Sequence, residues 1–278
     1  MYDVDHPAYK KLQQIGKEIT AKVRPKAVVV VSAHWQARKN KVQINTSGMA
    51  ELIYEYEIQL SQSLELGLTD VVLESFYGFP SHYYKERYPN VGSREVAEKT
   101  ISLLRGAGIE VEGVERGLDH GVWASFKCAF EPNENPLNVP IVQLSLFNSD
   151  DPDQHYRLGQ ALSKLRSENI QIVVSGMAVH NLRDSRFSLS RSEPMPYAIS
   201  FDEALHSAAI APPAERQGKL AGLLKREDAR EAHPSFEHLL PIHVGAGAAG
   251  NDVGTRIFTL VEGGLSWAQY RFGNVPSS

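Results

Sequence analysis

AVVVVSAHW, residues 27–35, is the stretch of sequence that decides the fold. Its four successive valines are β-branched, and an unbroken run of this kind is typical of a strand that is buried on both faces of a parallel sheet. The run ends at Ser32, and His34 follows two residues later. Because open α/β sheets bind ligands beyond the carboxyl ends of their strands, His34 stands where a functional side chain is expected.

Strand-like and helix-like segments alternate on either side of this run. Shorter apolar runs predict strands at residues 41–45, 110–112, 139–145 and 170–175. Apolar residues at helical spacing predict helices at residues 5–23, 93–104 and 153–167, with Asp5 and Ser93 as caps of the first two. Residues 213–229 predict an exposed helix, and residues 256–260 and 265–271 predict a closing hairpin. This order predicts a single α/β domain over residues 1–278. We expect a three-layer sandwich with a central parallel or mixed sheet and helices on both faces.

The composition is that of an ordinary globular protein and limits the choice of partners. The chain has 278 residues and a formal net charge of −4, so there is no electrostatic reason to expect nucleic acid or an anionic membrane as a partner. No apolar run approaches the ~20 residues of a membrane span, and we expect no secretory signal peptide. With Cys128 as its one cysteine, the chain cannot form an intramolecular disulfide or a cysteine-based zinc cluster. We expect a cytoplasmic protein, monomeric or a small homo-oligomer.

Four histidines occupy positions where this kind of fold gathers ligands: His34, His120, His180 and His238. Two of them follow predicted strands. His120 lies in a loop before a predicted helix, and His238 lies near a helix start that we expect Ser235 to cap. A lone histidine is usually a hydrogen-bonded surface or core residue, and we assign that role to His6, His82, His155, His206 and His243. Imidazole binds zinc, iron, copper and nickel, so the residue type alone does not select the metal.

The acidic neighbours of two of these histidines have two interpretations. Asp119 precedes His120, and Glu237 precedes His238. Each carboxylate could orient an imidazole or neutralise a cation at the site. The alternative for both is a solvated charge or a helix cap.

Five motifs in order carry a resemblance to a known family: SAHW (residues 32–35), FYGFP (76–80), LDHGVW (118–123), VHNL (179–182) and EHLLP (237–241). Together they resemble the class III extradiol ring-cleavage dioxygenases, specifically the small branch of 4,5-DOPA dioxygenase extradiol-like proteins. The match extends over nearly the whole chain. Each motif alone is weak, but five in family order are specific.

The resemblance implies a non-haem iron(II) enzyme, with zinc as the alternative metal, that opens the ring of a small catechol with O2. It implies that His34 and His238 bind the metal, and that His180 either binds it or acts as the base beside it. It implies that His120 donates a proton or stabilises an oxyanion in the substrate pocket. Further pocket residues expected from the motifs are Trp35, Tyr77, Phe79, Asp119, Trp123, Asn181 and Glu237. For the aromatic residues Tyr77, Phe79 and Trp123, core packing is the alternative.

Two departures from the family pattern affect these expectations. The family begins with a strand whose His-Gly turn supplies a metal ligand, whereas Met1 here stands only a few residues before the first predicted helix. We therefore expect that ligand to be absent, with less than one metal bound per chain. Residues 56–75 look like an insertion, either a surface excursion that could act as a lid or a gene-model error. The remaining alternatives are an impaired or non-catalytic relative and a zinc hydrolase on a similar fold.

Overall fold

A five-stranded mixed sheet forms the centre of the structure, a computed structural model that describes residues 3–38, 40–53, 85–187 and 193–276. Its strands in chain order are β1 (Ala27–Ala37), β2 (Val42–Asn45), β3 (Val111–Val114), β4 (Ile141–Phe147) and β5 (Ile170–Ser175). The order across the sheet is β3-β2-β4-β1-β5. Strand β1 runs parallel to β4 and β5, while β2 runs antiparallel to β4 and parallel to β3. The predicted mixed sheet is confirmed.

Strand β1 lies between two partners and extends further than its sequence suggests. Its pairing with β5 ends at Ser32, opposite Ser175. Its pairing with β4 is interrupted between Val31 and Gln36, where the register shifts. His34 lies inside this irregular segment, whereas the sequence predicts a strand that ends at Ser32 with His34 two residues past it. A bulge of this kind bends a strand and redirects its side chains, and such bulges are frequent next to active sites.

Helices cover both faces of the sheet. They are α1 (Pro7–Glu18), α2 (Arg94–Gly106), α3 (His120–Ala129), α4 (Pro152–Leu162), α5 (Leu182–Phe187), α6 (Pro196–Ala209), α7 (Pro213–Leu223), α8 (Ala229–Ala232) and α9 (Leu240–Ala248). A π-helical turn (Ile19–Val23) follows α1, and a 3-10 turn (Ser163–Glu168) follows α4.

The four valines of β1 show why the sheet has a helical layer on each face. Val29 and Val31 pack in one core cluster with residues of α2, α4 and α9. Val28 and Val30 pack in a second cluster with residues of α3 and, at its margin, α1. All four valines are fully buried, as expected where successive side chains point to opposite faces of a covered strand. The predicted three-layer α/β sandwich is confirmed.

Two predicted helix caps are wrong, and one is confirmed. The Ser93 hydroxyl accepts the Val96 N–H at 3.2 Å, as predicted. Helix α1 is capped by the His6 ring, which accepts the Ala8 N–H at 3.2 Å, and not by Asp5. Ser235 caps nothing: its hydroxyl donates to Glu237 at 2.8 Å, and α9 starts only at Leu240. An intervening turn separates Ser235 from the helix.

Short strands at the end of the chain form the predicted hairpin and attach it to the rest of the fold. Strand β7 (Gly254–Phe258) pairs antiparallel with β10 (Gln269–Phe272), and β8 (Val261–Glu262) turns back into β9 (Leu265–Ser266). Strand β9 also pairs with β6 (Val179–His180). The helix predicted at residues 213–229 ends at Leu223 and buries Arg216 and Leu220, so it is less exposed than expected.

No helix in the described parts of the chain is long and apolar enough to cross a membrane. The apparent insertion at residues 56–75 lies outside the described residues.

Candidate metal centre

Four histidine rings come together at the carboxyl end of β5 and beside the irregular segment of β1. The ring centroids of His34 and His120 are 4.0 Å apart, and those of His34 and His238 are 4.9 Å apart with the planes perpendicular. His180 stacks on His238 at 3.6 Å with an interplanar angle of 16°. The four histidines selected from the sequence therefore form one continuous cluster.

Strand β1 and the first turn of α3 place His34 and His120. The His34 N–H donates to the Ser32 hydroxyl at 3.2 Å, and His120 is the first residue of α3. Gly121 permits the close approach of these elements. A Cβ atom at that position would lie 2.5 Å from the Ser32 hydroxyl and 2.9 Å from a carbon of the His34 ring.

The C-terminal hairpin places His180. In the pairing of β6 with β9, His180 stands opposite Leu265, and the next N–H, that of Asn181, donates to the Gly264 carbonyl at 2.9 Å. On the other side, a ring nitrogen of His233 bonds to the Ala178 carbonyl at 3.0 Å. His180 is therefore held through the backbone on both of its flanks.

The loop after β5 places His238. The Met177 N–H donates to the His238 carbonyl at 2.9 Å. A Cβ atom on Gly176 would lie 2.3 Å from that carbonyl oxygen, so only glycine allows the two backbones to approach this closely. Because β5 ends one residue earlier, the rim of the sheet fixes the position of His238.

Two rings of the cluster, those of His180 and His238, favour the neutral form. Burial, followed by the nearby His34 and His120, lowers the pKa of His180 to about 4. Burial and the surrounding histidines, His180 first, lower the pKa of His238 well below its ordinary value. Both rings are therefore uncharged at neutral pH. The neutral imidazole is the form that binds metal ions.

The residues present fit a divalent metal. One possible ligand atom each from His180, Glu237 and His238 lie within 4.8 Å of one another. The Nδ1 atom of His238 is buried and has no hydrogen-bond partner among the described residues, which is costly unless something else binds it. Two imidazoles and a carboxylate are a ligand set suited to iron or zinc. The sequence analysis places Glu237 among the residues of the substrate pocket, whereas in the structure its carboxylate lies beside the possible ligand atoms of His180 and His238.

The other predicted pocket residues are placed differently. Trp123 lies in the core cluster of Val28 and Val30, where its indole N–H donates to the Ile53 carbonyl at 3.1 Å. This agrees with the packing alternative. Trp35 is buried beneath the Arg116 guanidinium, which lies 4.5 Å from the ring centroid. The Asn181 amide donates to the Glu231 carbonyl at 2.8 Å. Tyr77 and Phe79 lie outside the described residues.

Sequence reasoning gave no role to His233. This residue is fully buried, and the nearby His180 is among the groups that lower its pKa, to about 4, although burial is the main cause. Its ring packs against Phe201 with the centroids 5.2 Å apart. The only signal in the sequence was its position five residues before His238.

The comparisons with known proteins identify the family of this chain. The family described as the catalytic LigB subunit of aromatic ring-opening dioxygenase matches residues 1–272. The 4,5-DOPA dioxygenase extradiol of Beta vulgaris is 32% identical over 97% of this chain and 91% of its own length. The protein of the same name from Escherichia coli K12 is 31% identical over 79% of this chain and 71% of its own length. The crystal structure of an uncharacterized protein from Escherichia coli K12 matches with a TM-score of 0.70 at 28% identity, covering 96% of this chain and 92% of that one.

The predicted family and enzyme class are confirmed by these matches. Members of the family are metal-dependent enzymes, which agrees with the cluster of imidazole and carboxylate groups found here. The chain belongs to the family of the catalytic LigB subunit of aromatic ring-opening dioxygenases and is an extradiol ring-cleaving dioxygenase by class.

Proposed function

We propose that this protein uses Fe(II) to open the ring of a small catechol, either DOPA-like or a catecholic acid, with O2. The observation that carries the proposal is the contact of the rings of His34, His120, His180 and His238 at the rim of the sheet. The substrate class is supported by relatives named 4,5-DOPA dioxygenase extradiol. Zinc is the alternative occupant of the site.

His34, His180 and His238 are the proposed metal ligands, and Glu237 is the nearest carboxylate. The ligand atoms of His180, Glu237 and His238 are already close enough for one ion. His34 contacts the His238 ring and is the third histidine of the set. A bound metal would supply positive charge that acidifies the hydroxyls of the catechol, and a centre at which O2 can react.

The remaining chemistry belongs to His180 and His120. His180 is neutral at pH 7 because its pKa is lowered to about 4, so a ring nitrogen is available either to the metal or to a substrate proton. His120 stands at the N-terminus of α3, where the helix dipole favours negative charge on a bound oxygen. We assign His120 the role of proton donor or hydrogen-bond donor to that oxygen.

The test is oxygen uptake by purified protein that has been stripped of metal and reloaded anaerobically with Fe(II) or with Zn(II). With L-DOPA or caffeate, we expect Fe(II)-dependent consumption of one O2 per catechol and a yellow ring-opened product. Hydrolysis of p-nitrophenyl acetate by the Zn(II) form, without oxygen uptake, would replace the proposal with a hydrolase. If neither reaction occurs, the chain is a non-catalytic member of its family.

A further inference from the structure

Asp119 is a charged residue with no access to solvent beside the histidine cluster. Its exposed fraction is 0%, so its carboxylate relies entirely on protein partners. The Ser32 hydroxyl donates to one oxygen at 2.9 Å, and the Val122 N–H donates to the same oxygen at 3.2 Å. The Gln143 side-chain amide donates to the other oxygen, and Arg116 lies 3.5 Å from it.

Two of these contacts lead directly to histidines of the cluster. The Ser32 hydroxyl that donates to Asp119 also accepts the His34 N–H. The Val122 contact makes Asp119 the cap of α3, and His120 is the first residue of that helix. One carboxylate is therefore linked by hydrogen bonds to the segments that carry His34 and His120, whose rings are 4.0 Å apart.

The packing around the carboxylate leaves no room for adjustment. A Cβ atom on Gly121 would lie 3.2 Å from an Asp119 oxygen as well as against Ser32 and His34. The Ser175 hydroxyl at the end of β5 donates to the Gly121 carbonyl at 2.6 Å. Residues of β1, β4 and β5 thus hold the first turn of α3 from three sides.

We infer that Asp119 is a positioning residue that sets the spacing of His34 and His120, and not a residue that contacts substrate. The inference rests on the proposed function, because the proposed ring opening uses both His34 and His120 and therefore depends on their spacing. A carboxylate suits this place because both of its oxygens only accept hydrogen bonds. The Asp119→Asn variant would keep one accepting oxygen toward Ser32 and Val122, but would present an N–H group to the N–H group of Gln143.

The test compares Asp119→Asn with the double variant Asp119→Asn/Gln143→Glu. In the double variant the new carboxylate accepts from the new amide and also from the Asp119 N–H, which now donates to the Gln143 oxygen at 3.4 Å. The hydrogen bonds between residues 119 and 143 are thereby restored with the negative charge moved to position 143, while the contact of Arg116 with a carboxylate at position 119 is not. We expect Asp119→Asn to weaken Co(II) affinity about 10-fold to 100-fold, the usual range for residues that orient ligands, and the double variant to recover most of it.

A second measurement does not depend on metal or activity. Ring resonances of His34 and His120 in metal-free protein are expected to shift in Asp119→Asn and to return in the double variant. Ser32→Ala removes the hydroxyl that links Asp119 to the His34 N–H. It should shift the ring resonances of His34 and leave those of His120 unchanged. If the wild type bound no Co(II), the proposed function would be wrong. The ring resonances of His34 and His120 in metal-free protein would still test the role of Asp119.

Three results would overturn the inference. The first is a folded Asp119→Asn variant with wild-type Co(II) affinity and unshifted rings. The second is a double variant that folds but remains as impaired as the single one. The third result applies if Asp119→Asn does not fold. It is a folded Ser32→Ala variant in which the ring resonances of His34 do not shift.

Discussion

Two groups of histidines, one half-buried and one buried, differ in what their rings touch. In the cluster at the rim of the sheet, the rings contact one another, with centroid distances down to 3.6 Å. In the helical layer, His155 of α4 bonds to the Asp151 carbonyl at 2.8 Å and His243 of α9 bonds to the Leu220 carbonyl at 3.3 Å. Burial lowers the pKa of His180 and His238 in the first group and of His155 and His243 in the second.

The difference shows that burial and a lowered pKa do not by themselves mark a functional site. An imidazole bonded to a backbone carbonyl satisfies a neighbouring acceptor and stabilises the fold. A buried ring nitrogen without a partner among the described residues occurs in both groups, on His155 and His243 as well as on His238. What distinguishes the cluster is that its imidazoles face one another, so several ring nitrogens can converge on one ion. Only the second arrangement gains when a cation arrives.

The largest expected effect is the loss of metal when a ring of the cluster is removed. His238→Ala removes a ligand atom near those of His180 and Glu237. We expect metal affinity and catechol-dependent oxygen uptake to fall at least ~100-fold, measured by metal titration and an oxygen electrode. His243→Gln is the matched control because His243 is buried but lies outside the cluster. An equal loss of metal in the control would contradict the distinction between the two groups.

The next effect concerns pH and belongs to the carbonyl-bonded group. Burial, opposed by its backbone bond, lowers the pKa of His243 to about 4, from about 6.5 in an unfolded chain. The unfolded state therefore binds more protons between these values, so stability is fully present above pH 6.5 and is lost as pH falls toward 4. The shift corresponds to about 3 kcal/mol over that window.

Urea unfolding of wild type and His243→Gln at several pH values measures this contribution. The variant should show a shallower loss of stability between pH 6.5 and 4, since one titrating group is gone. His180 and His238 titrate in both proteins, so their contributions cancel in the comparison. Parallel curves for the two proteins would show that His243 does not contribute.

A smaller effect is expected from a methyl group at the contact between α3 and β1. Gly121→Ala places a carbon 2.5 Å from the Ser32 hydroxyl and 2.9 Å from the His34 ring. We expect a loss of about 2 kcal/mol in the free energy of unfolding and weaker metal binding. The control is Gly218→Ala in α7, where no atom lies within 4 Å. It should gain about 0.5–1 kcal/mol from helix propensity, and a loss there would mean that the contact at Gly121 is not the cause.

The smallest effect is expected at His6, the histidine that caps α1. Its Nδ1 accepts the Ala8 N–H, and its Nε2 lies 2.9 Å from the Glu262 carboxylate. His6→Ala should cost about 1 kcal/mol of stability, as the loss of a helix cap does, and should leave metal affinity unchanged. Thermal unfolding with a Co(II) titration measures both. A drop in metal affinity would show that His6 contributes to the metal site and is not only a structural residue.

Local sequence was sufficient for the fold and for the choice of the four histidines. The valine run predicted a central strand because burial on both faces needs an unbroken apolar run. The rule for strand ends then selected His34 and His180. The extension of β1 past His34, the shift in its register and the close approach at Gly176 could not be predicted, because they depend on contacts between distant segments. For Asp119 the sequence offers a helix cap as the alternative to the pocket, and the residue does cap α3 by accepting the Val122 N–H. Its contacts with Ser32 and Gln143 join distant segments and could not be predicted.

The pairing of β6 with β9 has a consequence for synthesis of the chain. His180 stands opposite Leu265, which the ribosome adds 85 residues later. Chains emerge from the N-terminus, and their earlier parts begin to fold first. The segments that carry His34, His120 and His238 are thus all made before the strand that pairs with His180. Loading with metal is expected to follow the pairing of β9 with β6, so the four rings are in place only after the C-terminal hairpin has been made.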